Sequence, residues 1–109
     1  DFDIIQLLID YGASVNHRNH LGNTVLHKAA AFDHFRLVKK LIAMGAHVHA
    51  QNVEKDTALH HAAMAGSYLS ARALVNAGAD VNLRNNEGSS AVREAKMNGH
   101  GLVMEYLSK

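Results

Sequence analysis

An all-α solenoid of stacked helix-turn-helix units is the fold this sequence predicts, and three observations carry the prediction. One segment recurs in register every 33 residues: Gly12-Ala13, Gly45-Ala46 and Gly78-Ala79; Asn16, His49 and Asn82; Thr24-Val25-Leu26-His27, Thr57-Ala58-Leu59-His60 and Ser90-Ala91-Val92-Arg93. The composition is 48% hydrophobic and heavy in alanine with only 6% aromatic, which suits helices that approach closely. The eight glycines fall almost entirely where one copy gives way to the next element. A period of this length marks an array in which each unit buries its apolar face only against its neighbours. Function is therefore expected on an extended surface, not in one pocket.

Taken from the N-terminus, the stretch from Phe2 to Asp10 is in phase with the stretch from Phe35 to Ala43. Residues 1–15 thus read as a partial repeat with its second helix only. Ile4, Ile5, Leu7, Leu8 and Ile9 cover more than one face of that helix, so it wants a neighbour: preceding chain, a partner, or another copy. Residues 16–48 and 49–81 are complete units, each a finger, a helix, a short turn, a second helix and a returning loop. Thr24 and Thr57 stand where a hydroxyl can cap the free N–H groups of a first turn. First helices are predicted over 25–32, 58–65 and 91–98. Second helices are predicted over 35–44, 68–77 and 102–108, with Gly45 and Gly78 as left-handed stops.

Residues 82–109 depart from the pattern in a readable way. Arg93 replaces the histidine and Lys96 the second alanine, which predicts a C-terminal capping repeat with a polar outer face. Two further departures bear on stability. Val25, Ala58 and Ala91 occupy the first helical position in a chain with no proline, which softens the helix starts slightly. Lys55 stands where Gly22 and Gly88 stand, in a finger turn that favours positive φ. Keeping that turn costs about 1 kcal/mol, so the middle finger is expected to be distorted or mobile.

These residues resemble the ankyrin repeat over essentially the whole chain. The second unit carries Gly22, Thr24-Val25-Leu26-His27, Ala29-Ala30, Val38, Leu41 and Gly45-Ala46. The third carries Thr57-Ala58-Leu59-His60, Ala62-Ala63, Gly66, Leu74, Gly78-Ala79 and Asp80-Val81-Asn82. The resemblance implies β-hairpin-like fingers, and a motif histidine (His27, His60) hydrogen-bonded within or between them. It implies that Asn16 and Asn82 organise the returning loops, and some family members are hydroxylated there by an asparaginyl hydroxylase. His49 replaces the asparagine in the middle repeat, so the network is expected to differ there. Above all, the resemblance implies a non-enzymatic module that grips another protein or peptide on the face built from finger tips and first helices.

Carried over position by position, that face comprises His20, Leu21 and Asn23 with Ala31 and Phe32. It continues through Val53, Glu54 and Asp56 with Met64 and Ala65, then Asn86, Glu87 and Ser89 with Met97 and Asn98. Phe32, Met64 and Met97 read as an apolar stripe rimmed by polar fingers, unless they merely pack against neighbouring helices. Phe32 and Met64 are the expected hot spots, and Glu54 and Asp56 the expected selectors for a basic partner. Two other readings remain: a regulatory or targeting segment of a larger enzyme, channel or effector, and an array that self-associates through the helix from Phe2 to Asp10.

Other chemistry finds little support. Nine histidines invite a metal site, but zinc wants three or four oriented ligands. There is no cysteine and no His-x-x-x-His pair. His34 and His100 fall in inter-helix turns, and His47, His49 and His17 in loops. Ser67, Ser70, Ser89 and Ser90 sit in turns or helix starts, where capping explains them without an activating base. No glycine-rich phosphate loop occurs. Neither a cofactor nor catalysis is expected. Eleven basic residues scattered among ten acidic ones, with formal charge +1, argue against nucleic acid. No run of about 18 apolar residues spans a membrane, and no signal peptide is visible at Asp1-Phe2-Asp3-Ile4. A cytoplasmic or nuclear home is expected.

Overall fold

The computed structural model describes residues 15–109. Over them the chain forms six helices: α1 Val25–Ala31, α2 Phe35–Ala43, α3 Ala58–Ala65, α4 Tyr68–Asn76, α5 Ala91–Met97 and α6 Gly101–Leu107. Each lies within a residue or so of its predicted span. The helix read from Phe2 to Asp10 lies outside the described residues. First helices α1, α3 and α5 stack on one another in one layer, and α2 packs on α4 and α4 on α6 in a second. The core runs between the layers through Leu26, Leu37, Val38, Leu41, Leu59, Leu74 and Val103. Ala29, Ala30, Ala62, Ala63 and Ala95 are fully buried at the crossings, where only a methyl lets successive helices approach.

The motif histidine, not proline, organises the helix starts. Thr24 Oγ1 accepts the His27 N–H at 3.3 Å, while the Thr24 N–H donates back to His27 Nδ1 at 3.1 Å. This reciprocal box recurs between Thr57 and His60. A backbone N–H can only donate, so Nδ1 is the bare nitrogen and Nε2 carries the hydrogen. That hydrogen points at the next finger: His27 Nε2 donates to the Asp56 carbonyl at 2.8 Å and His60 Nε2 to the Ser89 carbonyl at 2.9 Å. One imidazole therefore caps its own helix and ties its repeat to the following one. In the last unit Ser90 still accepts the Arg93 N–H at 3.3 Å, but a guanidinium has no acceptor with which to close the box.

The second helices α4 and α6 are fixed by the repeat before them. No second helix has a side-chain cap from its own N-cap residue, His34, Ser67 or His100. Instead Ser67 Oγ donates to the Ala31 carbonyl at 3.2 Å and His100 Nε2 to the Met64 carbonyl at 3.0 Å. Asp33 reaches forward, its Oδ1 accepting the Ser70 N–H at 3.0 Å. The structural role expected for His100 thus holds. It needs Gly66, at φ +74°, because a Cβ there would lie 2.6 Å from His100 Nδ1. Gly45 and Gly78, at φ +97° and +98°, stop α2 and α4 as expected.

Ser70 occupies the position of Leu37 and Val103 and is fully buried, yet its Oγ has no hydrogen-bond partner among the described residues. An unmet buried hydroxyl costs about 1–3 kcal/mol, against the small loss of contact when it is deleted. Ser70→Ala is therefore expected to stabilise the chain by about 1 kcal/mol, seen as a higher urea midpoint at unchanged slope.

No strand forms among the described residues, so the fingers are turns and not β-hairpins. An asparagine builds each one. Asn19 Oδ1 accepts the N–H groups of Leu21 and Asn23, Asn52 Oδ1 those of Glu54 and Asp56, and Asn85 Oδ1 those of Glu87 and Ser89, all at 2.9–3.0 Å. The expected distortion at Lys55 is not found. Its φ of +63° follows Gly22 and Gly88 at +79° and +74°, and its N–H meets the Asn52 carbonyl at 2.9 Å as theirs meet Asn19 and Asn85. Gln51 adds a bond to the Lys55 carbonyl at 3.0 Å. The turn is kept against the left-handed penalty, so Lys55→Gly is expected to raise stability by about 1 kcal/mol in thermal or urea unfolding.

Candidate functional site

Two of the asparagines that build the fingers, Asn52 and Asn85, also lash them together. Asn52 Nδ2 donates to Asn23 Oδ1 at 2.9 Å and toward His61 Nε2 at 3.4 Å. One repeat later Asn85 Nδ2 donates to Asp56 Oδ1 at 3.0 Å and toward Glu94 Oε2 at 3.4 Å. Each amide therefore joins the previous finger to the first helix of its own unit. Backbone bonds reinforce the row: the Val53 N–H reaches the Leu21 carbonyl at 3.0 Å and the Asn86 N–H the Glu54 carbonyl at 2.9 Å. Sequence reasoning missed Asn19, Asn52 and Asn85, although their spacing is the same 33 residues.

Between the second and third fingers this lashing leaves a cleft of about 300 Å³, lined by Glu54, Asp56, Met64, Asn85, Asn86, Glu87 and Glu94. No basic side chain among the described residues lines it. Of the residues predicted for a partner face, Glu54, Asp56, Met64, Asn86 and Glu87 are thus brought together. Leu21, Val53, Phe32 and Met97 are exposed apolar side chains on the same row of fingers and first helices, Phe32 and Met97 at 64% and 66%. His20 is exposed at the first finger tip.

Two predicted contact residues are corrected. Asp56 is only 4% exposed. Its Oδ1 is taken by Asn85, and its Oδ2 lies 3.9 Å from His61 Nε2, so it shapes the cleft floor and is not a free selector. Asn23 is half-buried, its amide oxygen held by Asn52. Met64 is half-buried at the cleft, while Phe32 and Met97 stand outside it. The three do not line one common cleft: Phe32 caps the end of α1 one position later in the repeat than Met64, and Met97 belongs to the last unit.

Burial sets the protonation of two histidines near the lashing. The His27 ring is desolvated, which lowers its pKa below the usual histidine value against the help of its hydrogen bond to the Asp56 carbonyl. Burial likewise lowers His61, against the attraction of the Asp56 carboxylate. Their rings meet edge to face with centroids 5.1 Å apart.

In the returning loops Asn16 donates to the Gly45 carbonyl at 3.2 Å and accepts the His47 N–H at 2.8 Å. His49 takes over the acceptor half of that role, its Nε2 receiving the Asp80 N–H at 3.0 Å. The network differs as expected, yet only in its donor half. Asn82 is exposed, with its N–H on Asp80 Oδ1 at 2.8 Å. No group of three or more His, Asp or Glu side chains able to hold a metal forms among the described residues. No described helix is long and apolar enough to cross a membrane.

Two stacked helical layers that hold out a lashed row of fingers define a repeat scaffold whose working part is its surface. A family model described as ankyrin repeats in three copies matches residues 1–85 and again 32–109. The chain belongs to the ankyrin-repeat family. It is similar to an ankyrin repeat protein of Acanthamoeba polyphaga mimivirus, at 43% identity over 37 residues, which cover 34% of this chain and 5% of that protein. Ankyrin repeats are in general protein-interaction modules and not enzymes.

Proposed function

We propose that this chain is a non-enzymatic binding module that grips a partner protein or peptide on its finger and first-helix face. The observation that carries this reading is the cleft between the second and third fingers, where Glu54 and Glu87 rim a floor of Met64, Asn85 and Asp56. A cleft with carboxylates and no base favours an arginine or lysine of the partner. The apolar side chains Leu21, Phe32, Val53 and Met97 flank it as contact area. The lashed fingers are already in place, so docking loses little ordering entropy. Arg93 and Lys96, both exposed, support residues 82–109 as the capping repeat of the array. Asn16 and Asn82, in the returning loops, are candidates for side-chain hydroxylation, checked by mass spectrometry.

A peptide-display selection on the immobilised chain tests the binding reading. It should recover peptides with a basic residue beside an apolar one. Their affinity should fall about tenfold or more in Glu54→Lys with Glu87→Lys and in Phe32→Glu. Equal binding by all variants would move the partner site off this face.

A further inference from the structure

Two neighbouring second helices and one cleft of this chain each carry charge of a single sign. Helices α2 and α4 carry Arg36, Lys39, Lys40 and Arg72 and no acidic side chain. Glu54, Asp56, Glu87 and Glu94 gather instead in the finger cleft. Among the described residues the one carboxylate close to a basic side chain is Asp56, whose Oδ2 lies 3.9 Å from His61 Nε2, so no described carboxylate pairs with the cations of α2 and α4. Aromatic rings hold three of them in place. Lys39 Nζ lies 5.8 Å and the Arg36 guanidinium 5.6 Å from the Phe35 ring. The Arg72 guanidinium is 5.7 Å from the Tyr68 ring and 6.0 Å from that of Tyr106. A ring attracts a cation without cancelling its charge, so these groups are ordered yet still able to meet an anion.

Between α2 and α4 runs a groove of about 180 Å³ lined by Phe35, Lys39, Leu69, Arg72, Ala73 and Asn76. It continues past Ile42 and Ala77 in a further 220 Å³ or so. Leu69 is 42% exposed along its edge. We propose that this groove, on the helix layer away from the finger cleft, is a second docking site that takes an acidic, apolar segment of a partner protein. Carboxylates of the segment meet Lys39 and Arg72, and a leucine or phenylalanine between them rests on Phe35 and Leu69. Charge complementarity selects the acid. The groove selects a peptide over a bilayer, because a membrane surface offers no side chain to fill a cleft between two helices. It selects a peptide over nucleic acid, because two cations, Lys39 and Arg72, beside an apolar floor make a poor phosphate track.

The test is an NMR titration of the ¹⁵N-labelled chain with a short peptide bearing two leucines flanked by glutamates, and with the same peptide carrying lysines for glutamates. The acidic peptide should shift amides of α2 and α4 saturably, and the lysine peptide should leave them unmoved. Lys39→Glu with Arg72→Glu, confirmed folded by circular dichroism, should weaken the acidic peptide about tenfold or more. Glu54→Lys, which alters the finger cleft, should leave its binding unchanged, so the two sites fail or succeed separately. Absence of a saturable shift, shifts confined to the fingers, or equal affinity in the Lys39→Glu, Arg72→Glu variant would overturn the proposal. Preference for phosphatidylserine vesicles or a single-stranded oligonucleotide over the peptide would also overturn it.

Discussion

His60→Ala is expected to lower the unfolding free energy by about 3 kcal/mol, the largest effect of any single substitution considered. Three losses combine. The imidazole is 1% exposed, so its removal leaves a cavity beside Leu59 and the buried alanines. The Thr57 N–H loses its Nδ1 acceptor at 3.1 Å, and the Ser89 carbonyl loses its donor at 2.9 Å, in surroundings where water replaces neither well. The second of these bonds crosses from α3 to the third finger. In a stacked array stability is close to a sum of unit and interface terms, so cutting that bond also loosens the last unit. Urea unfolding should show an earlier and shallower transition. Thr57→Ala should cost about 1 kcal/mol alone and less than that once His60 is gone, because both serve the same cap. A loss below about 1 kcal/mol for His60→Ala would mean that neither the two bonds nor the packing of the ring holds the stack.

How much of this was legible beforehand follows from where the physics is local. The helices were, because caps at Thr24 and Thr57, stops at Gly45 and Gly78 and the alanine pairs act within a few residues of themselves. The motif histidine was legible as a structural group, but not its direction: the bond from His27 to the Asp56 carbonyl spans 29 residues and exists only once repeats stack. The same is true of Asp33 on the Ser70 N–H and of the Asn52 and Asn85 bridges between fingers. From its side chain alone, Lys55 is a liability in a turn that favours positive φ. The turn around it is held by Asn52 and Gln51, which outweigh one left-handed residue. The face of fingers and first helices was legible as a list of positions. Burial then divided that list, since Asp56 and Asn23 are occupied by their neighbours while Glu54, Glu87 and Phe32 are not buried. The cationic groove of α2 and α4 and the acidic finger cleft were not legible, because each gathers residues of two repeats that meet only once the units stack.

Acid should unfold this chain by way of His27 and His61. Both have native pKa values lowered by burial, so as pH falls through the ordinary histidine value of about 6.5 the unfolded chain takes up protons that the native chain refuses. Stability is then fully present above about pH 6.5 and is lost on going lower, down to the native pKa values, at up to about 1.4 kcal/mol per pH unit for each histidine. Geometry explains the refusal at His27. Its Nδ1 faces the Thr24 N–H and its Nε2 already donates to the Asp56 carbonyl, so an added proton would set two donors against each other. Arg18 and the His61 ring add repulsion, which the Asp56 carboxylate only partly offsets. At His61 the carboxylates of Asp56 and Glu54 favour the proton, while burial and His60 oppose it with the larger effect. His61→Gln should therefore leave stability near pH 7.5 almost unchanged and make the loss of stability below pH 6.5 less steep. The position tolerates such a change, since Lys28 and Glu94 occupy it in the neighbouring units. Thermal unfolding of the native and His61→Gln chains across that range decides the matter: parallel curves would remove His61 from the account, and flat curves would remove both histidines. Because the folded chain keeps His61 neutral while the unfolded chain takes up its proton, no positive charge arises beside Asp56 at the cleft floor over that interval. Affinity of the folded chain for a basic peptide should then hold steady there, in the native chain as in His61→Gln.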